Sequence, residues 1–159
     1  MSEIVLPVKV TAIDFHVKRG PIKSSSGLRV HKVAHAIYDT ALTDSAGVSN
    51  KTVAAHGLGV FLPAKAIIVR SWFQTITGFT SAASTATVAI SMESAGDIFA
   101  ALACSDGKLS GAGFVTGIQD GTITHMVSAT VERELVATVA VQAFTAGKLK
   151  LFVEYVQGE

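Results

Sequence analysis

Five histidines and twelve acidic side chains are the residues of this sequence with the widest chemical reach. His31 and His35 are four apart, and a folded sheet could bring His56 and His125 toward them, so a zinc site is the first chemistry to weigh. Zinc needs three or four ligands converging on one point, and no compact His/Cys spacing here imposes that. A trimer could supply three ligands from one histidine near its axis, but the expectation is no metal and no cofactor. Glycoside cleavage would need two carboxylates about 5–9 Å apart, to be drawn from Glu93, Asp97, Asp120, Glu132 and Glu134. Glu93, Asp97 and Asp120 stand beside glycine turns, and Glu132-Arg133-Glu134 reads as a solvated strand connection, so structural roles are expected for all five. The chain has no Gly-x-Ser-x-Gly elbow and no His-Glu-x-x-His pair. Gly57-Leu58-Gly59 is too short for a phosphate cradle and leads into a strand. Cys104 closes the apolar run Ile98–Cys104 and reads as a buried, inert thiol without a disulfide partner. Trp72, Phe73 and Phe79 form the closest aromatic grouping, which core packing explains better than a sugar platform. No catalytic residue and no enzymatic activity are expected.

The elements that would position these residues read as β throughout. Leu28–Ala41 fits a helix or a strand by periodicity, and Val, Ile and Tyr favour the strand. Turn signals then separate Thr52–Leu62, Ala66–Ile76 and Ala86–Met92. In Ala66–Ile76, Ile68, Trp72 and Ile76 are expected on one face and Ile67, Val69 and Phe73 on the other, so the strand should be covered on both sides. In Ala86–Met92, Val88, Ile90 and Met92 alternate with Thr87, Ala89 and Ser91, the pattern of a half-buried strand. Further strands are expected at Ile98–Cys104, Phe114–Ile118 and Thr122–Val131. Leu135–Phe144 and Lys148–Val156 flank Thr145-Ala146-Gly147 and read as a hairpin, with Leu149, Leu151, Val153 and Tyr155 on one face and Lys148, Lys150 and Glu154 on the other, wet one. The fold expected is all-β, a single antiparallel β-sandwich or a jelly-roll or barrel-like domain, with an extended N-terminal arm.

Composition narrows the function class. The 159 residues hold one compact domain and are 49% hydrophobic and 16% charged, against about 25% charged in an average soluble protein. A surface so poor in charge is common where a partner covers much of it. No apolar run approaches the ~20 residues of a membrane span, and neither a signal peptide nor an anchor is expected. Asn50-Lys51-Thr52 is therefore a chance match to a glycosylation sequon. Net charge is +1, yet the first 32 residues hold Lys9, Lys18, Arg19, Lys23, Arg29 and Lys32 against Glu3 and Asp14. Val8, Val10 and Ala12 alternate with Lys9 and Thr11 before Lys18-Arg19-Gly20-Pro21 and Ser24-Ser25-Ser26-Gly27 break the pattern. Residues 1–27 thus read as a basic arm and 28–159 as the body. On its residues alone the arm reads as a solvated basic tail before a segment that docks on something acidic, and, because its cations are interleaved with Ile, Val and Phe, as a nucleic-acid binder last.

Several short motifs occur in a fixed order. These are Tyr38-Asp39, Gly57-Leu58-Gly59-Val60 leading into Leu62-Pro63-Ala64-Lys65-Ala66-Ile67-Ile68, Thr80-Ser81-Ala82 with Ala86-Thr87-Val88-Ala89-Ile90, and Ala95-Gly96-Asp97-Ile98. The series continues through Leu135–Val141 and Thr145-Ala146-Gly147-Lys148 to Val153-Glu154-Tyr155-Val156. Together, over residues 36–156, they resemble a family of small tailed-phage virion proteins similar to the capsid decoration, or cement, proteins. The resemblance implies a homotrimer on the outer surface of the virion head, bound to the major capsid protein and made in the host cytoplasm. It implies no membrane and no nucleic-acid partner. The arm lies outside the matched region, and its own residues Lys9, Lys18, Arg19, Lys23 and Arg29 are the candidate capsid contacts. A head fibre or tail-associated module binding a host glycan is the alternative within structural proteins. A β-sandwich hydrolase or lectin-like binder is the alternative from another class.

Overall fold

The computed structural model describes residues 31–111 and 113–157. The expected arm, residues 1–27, with Lys9, Lys18, Arg19 and Lys23, and Arg29 beyond it, lies outside the described residues. In chain order the elements are β1 (Lys32–Asp39), β2 (Ala55–Leu62), β3 (Ala66–Ser81), β4 (Thr87–Ser91), β5 (Phe99–Ala103) and the one-turn helix α1 (Gly107–Ser110). They continue with β6 (Gly113–Asp120), the two-residue β7 (Val127–Ser128), β8 (Arg133–Ala140) and β9 (Phe144–Gln157). Two antiparallel sheets face one another. The first has the order β1-β9-β3-β6, with β7 also on β3, and the second has the order β2-β8-β4-β5. Among the long strands, only β4 and β5 are both consecutive in the chain and neighbours in one sheet; the other connections carry the chain across the sandwich. The fold is the all-β sandwich expected from the alternating runs.

Alternation drives the packing. Leu149, Leu151 and Val153 of β9 turn inward and are buried, while Lys148, Lys150 and Glu154 turn outward. From the second sheet, Val88 and Ile90 of β4 and Leu135, Ala137 and Val139 of β8 meet them. Burial of each large aliphatic side chain contributes about 1.5–3 kcal/mol. Phe73 meets Phe99 of the opposite sheet edge-on at 4.8 Å, and Phe79 stacks on Tyr38 at 6.0 Å while meeting Phe144 edge-on at 5.1 Å. Burial pushes the Tyr38 hydroxyl well above its ordinary pKa, and the hydroxyl donates to the Asn50 carbonyl.

Four expectations about the strands are corrected. Leu135–Phe144 and Lys148–Val156 are not a hairpin, because β8 pairs with β2 and β4 whereas β9 pairs with β1 and β3. The chain crosses between sheets at Val141, which takes φ 69, and Thr145-Ala146-Gly147 lies inside β9. Gly147 has φ 151, and a Cβ there would fall 2.2 Å from the Phe79 ring, so its glycine serves core packing and not a turn. Thr122–Val131 is a short 3-10 turn followed by β7 and no long strand. In β3 the two-residue alternation breaks where Ile68 pairs with Tyr155 and Arg70 with Glu154, leaving Val69 as an extra residue. The bulge moves Phe73 onto the core side with Ile68 and turns Trp72 outward. Among the described residues β3 is covered on one side only, since no second layer of them lies over its outer face.

Candidate assembly surface

Register across the first sheet builds its outer face. His35 of β1, Phe152 of β9, Trp72 of β3 and Thr116 of β6 form one row. Ile37, Lys150, Gln74 and Phe114 form the next, and Val33, Glu154, Arg70 and Asp120 the row on the other side. Trp72 lies flat on Phe152 with ring centres 5.3 Å apart, and the Lys150 Nζ sits 5.1 Å from the Phe152 ring centre. An ammonium over an aromatic face is held by the ring quadrupole, worth about 0.5–1 kcal/mol at an exposed site. The centre of the face is thus an ordered platform. Its margins are apolar and open: Val33 is 54% exposed and Ile37 48% on β1, and Phe114 69% and Ile118 40% on β6. Four large apolar side chains flanking an aromatic stack are the composition of a contact surface.

Among the described residues, several titratable side chains outside this face serve as local ties. His56 is fully buried, with Nδ1 3.0 Å from the Asp44 carboxylate and Nε2 2.9 Å from the Thr52 carbonyl oxygen. It fastens the long β1–β2 connection to the sandwich. The Asp44 carboxyl is held below its usual range by the Val48 N–H and by His56. His31 faces Glu154, His125 faces Asp120, and His35 lies on the open face of β1. Among the described residues no three His, Cys, Asp or Glu side chains gather as a metal-ligand group.

The five carboxylates weighed for hydrolysis are mostly occupied. Glu93 takes a two-pronged bond from Arg133, at 3.1 and 3.2 Å, and accepts from Thr130, which together lower its pKa to about 2. Asp97 accepts from the N–H groups of Met92, Glu93 and Ser94. Asp120 accepts from Thr122 and faces His125, which hold its pKa at about 2. Glu134 accepts the Gly59 N–H at 2.8 Å. Glu132 is exposed beside them. Arg133 and Glu134 therefore tie elements together and are not merely a solvated connection. Cys104 is buried and free, 3.3 Å from the Ser81 hydroxyl. An open cleft of about 370 Å³ at the far end of the sandwich is lined by Asp39, Thr40, Lys51, Thr77 and Lys148, with Lys148 bridged to Asp39 at 3.0 Å. No helix among the described residues is long and apolar enough to cross a membrane.

No family model matches the chain, and no curated protein matches it. Solved structures do. The chain is similar to one in the acidic stable capsid structure of Helicobacter pylori bacteriophage KHP30, with TM-score 0.56 and 19% identity over 82% of this chain and 90% of that one. It is similar to a chain of the cyanophage Pam1 capsid asymmetric unit, with TM-score 0.59 and 17% identity over 93% and 100%. A chain of the Ralstonia phage GP4 capsid gives TM-score 0.53 and 20% identity over 91% and 94%. The fold is one found in phage capsids. In each case the match takes in nine-tenths or more of the neighbouring chain.

Sequence reasoning placed the candidate contacts in the arm and passed over Val33, Ile37, Phe114 and Ile118. The signal for them was present. Runs that are apolar on both faces, in a chain long enough for only two layers, must leave one apolar face outside.

Proposed function

We propose that this chain is a non-enzymatic decoration, or cement, protein of a phage head. In this reading it sits as a trimer on the outer surface of the capsid lattice, binds the major capsid protein and strengthens the shell against the pressure of packaged DNA. The observation that carries the reading is the fold shared with chains of three phage capsids over nine-tenths or more of each of those chains. A charge-poor composition and an apolar outer face on the first sheet support it, because many weak contacts repeated by symmetry can clamp subunit borders without any reaction. We assign residues 28–159 to the body and residues 1–27 to an arm that docks through Lys9, Lys18, Arg19 and Lys23, with Arg29 at its junction with the body.

The test is co-sedimentation of purified protein with heads stripped of minor proteins, measured as copies bound per capsid subunit. Saturation at a fixed simple ratio is the expected result, and no binding at micromolar protein would sink the role. Replacing Lys18, Arg19 and Lys23 by Glu should weaken docking, most visibly at low salt where surface charges are least screened. Deleting residues 1–27 should leave a folded trimer that no longer coats heads. Undiminished coating would remove the arm from the mechanism.

A further inference from the structure

The first sheet ends in two strands, β1 and β6, each of eight residues; among the described residues β1 has a strand on one side only, and β6 is bonded on its outer side at Ile118, whose N–H donates to the Ile98 carbonyl. An edge strand presents a row of unpaired N–H and C=O groups, and proteins blunt such edges with bulges, prolines or charges within the strand. The β1 edge is not blunted in that way, since β1 runs in unbroken register with β9, lacks proline and carries its lysine and acid at its ends. β6 also lacks proline, and its one register shift against β3 falls between Thr116 and Asp120, which leaves Gly113–Thr116 regular.

We propose that the β1 edge of one copy pairs antiparallel with the β6 edge of the next, so that the trimer closes head to tail through its first sheets. The inference rests on the trimeric reading above and names the joint. Three observations carry it. First, β1 and β6 run in opposite directions within the sheet, since each pairs antiparallel with one of the two central antiparallel strands. Rotation about an axis along the strands therefore sets every β1 antiparallel to a neighbouring β6.

Second, the exposed apolar residues match in spacing. Val33 and Ile37 are four apart on the outer face of β1, as Phe114 and Ile118 are on β6. One antiparallel register then places Val33 against Ile118, His35 against Thr116 and Ile37 against Phe114, with outer faces continuous. The Ile118 N–H already donates to the Ile98 carbonyl, so the backbone bonds of the joint lie between Gly113 and Gly117. Third, charge agrees at both ends. The register brings His31 and Lys32 to the Asp120 end of β6. It also turns Asp39 toward the end where Lys108 lines the slot between β5 and β6 with Val115 and Thr116. His31 and Asp39 keep their bridges to Glu154 and Lys148, and Asp120 its bridge to His125, so these charges steer the docking and do not replace existing pairs.

Symmetry favours the heterologous joint. Pairing β1 with β1, or β6 with β6, buries one edge and leaves the other open to propagate a ribbon, whereas β1 on β6 consumes both edges and closes a ring.

The test uses the full chain in solution. With Ile37→Cys and Phe114→Cys in one chain, mild oxidation should give a covalent trimer on non-reducing gels, while either substitution alone should give only monomer. Ile37→Lys should dissolve the trimer in sedimentation, and adding Phe114→Glu should restore it. Covalent dimers from a single-cysteine variant would overturn the joint in favour of same-edge pairing. A trimer that persists in Ile37→Lys without cross-links in the double-cysteine variant would overturn the joint and leave the trimeric reading intact. A wild-type chain that sediments as a monomer would overturn both the joint and the trimer. A full-length monomer that becomes trimeric on deletion of residues 1–27 would give the edge to the chain's own arm and likewise overturn the joint.

Discussion

The two sheets share one core but differ at their outer faces and edges. The second presents mostly smaller side chains outward, Thr87, Ala89 and Ser91 of β4 and Val136, Thr138 and Ala140 of β8, with Phe61 of β2 its one exposed aromatic among the described residues. Both of its edges are interrupted. β2 bulges between Gly57 and Phe61, where Gly59 takes φ 68 and Glu134 occupies the space a Gly57 Cβ would need, and β5 has only five residues. The first sheet carries Trp72, Phe152, Phe114, Ile37 and Val33 outward, and it keeps β1 in unbroken register over eight residues and β6 in register from Gly113 to Thr116. The straight stretches open to a further strand therefore lie on the first sheet, along β1 and along Gly113–Thr116 of β6.

The largest expected effect breaks what the sheets have in common. Phe73→Ala removes the ring that meets Phe99 across the core and should cost about 3–5 kcal/mol in denaturant unfolding, with both sheets lost in one transition. At the crossing between the sheets, Val141 holds a left-handed backbone conformation that a β-branched residue adopts only under strain. Val141→Gly should therefore raise stability by about 1 kcal/mol, seen as a higher denaturant midpoint; an unchanged or lower midpoint would mean the side chain is needed there. The second sheet has its own acid sensitivity. The Glu93 pKa is lowered in the fold, so the contribution of its bond to Arg133 is full above the unfolded value near 4.5 and is lost as pH falls through about 2. Between pH 5 and pH 2, Glu93→Gln should lose less Tm than the parent chain. The smallest effect sharpens the contrast most: Ile37→Lys lies on the open edge of the first sheet and should shift the stability of the isolated chain by less than about 0.5 kcal/mol while changing its sedimentation. A large loss of stability would show that the face is part of the fold instead of a contact surface.

Much of the sandwich was legible because burial imposes a two-residue rhythm wherever a strand has one wet face. Val88, Ile90 and Met92, and Leu149, Leu151, Val153 and Tyr155, were each placed on one face on that ground, and the structure buries all of them except Tyr155, which is half-buried. Partner choice was not legible. Leu135–Phe144 and Lys148–Val156 carry the right alternation for neighbours, but alternation records which side of a strand is dry, not which strand lies beside it. The β3 bulge was likewise hidden, because Ile67, Ile68, Val69, Trp72 and Phe73 are apolar in either parity and the extra residue is defined only against β9. The candidate surface fell to the same cause, since Phe114 and Ile118 stand out only once Val115 is known to face inward.

By itself the sequence determined the all-β class, the inward residues of the regular strands, the buried thiol of Cys104 and the absence of any spacing that would force a metal or nucleophile site. These follow from local periodicity and local chemistry. Only the tertiary structure decided that β8 and β9 part company, that Glu93, Asp97, Asp120 and Glu134 serve as ties, and that Trp72 faces outward on an open sheet. Those outcomes depend on contacts between residues far apart in the chain, whose pairing is fixed by the packing of the whole core and not by any segment alone.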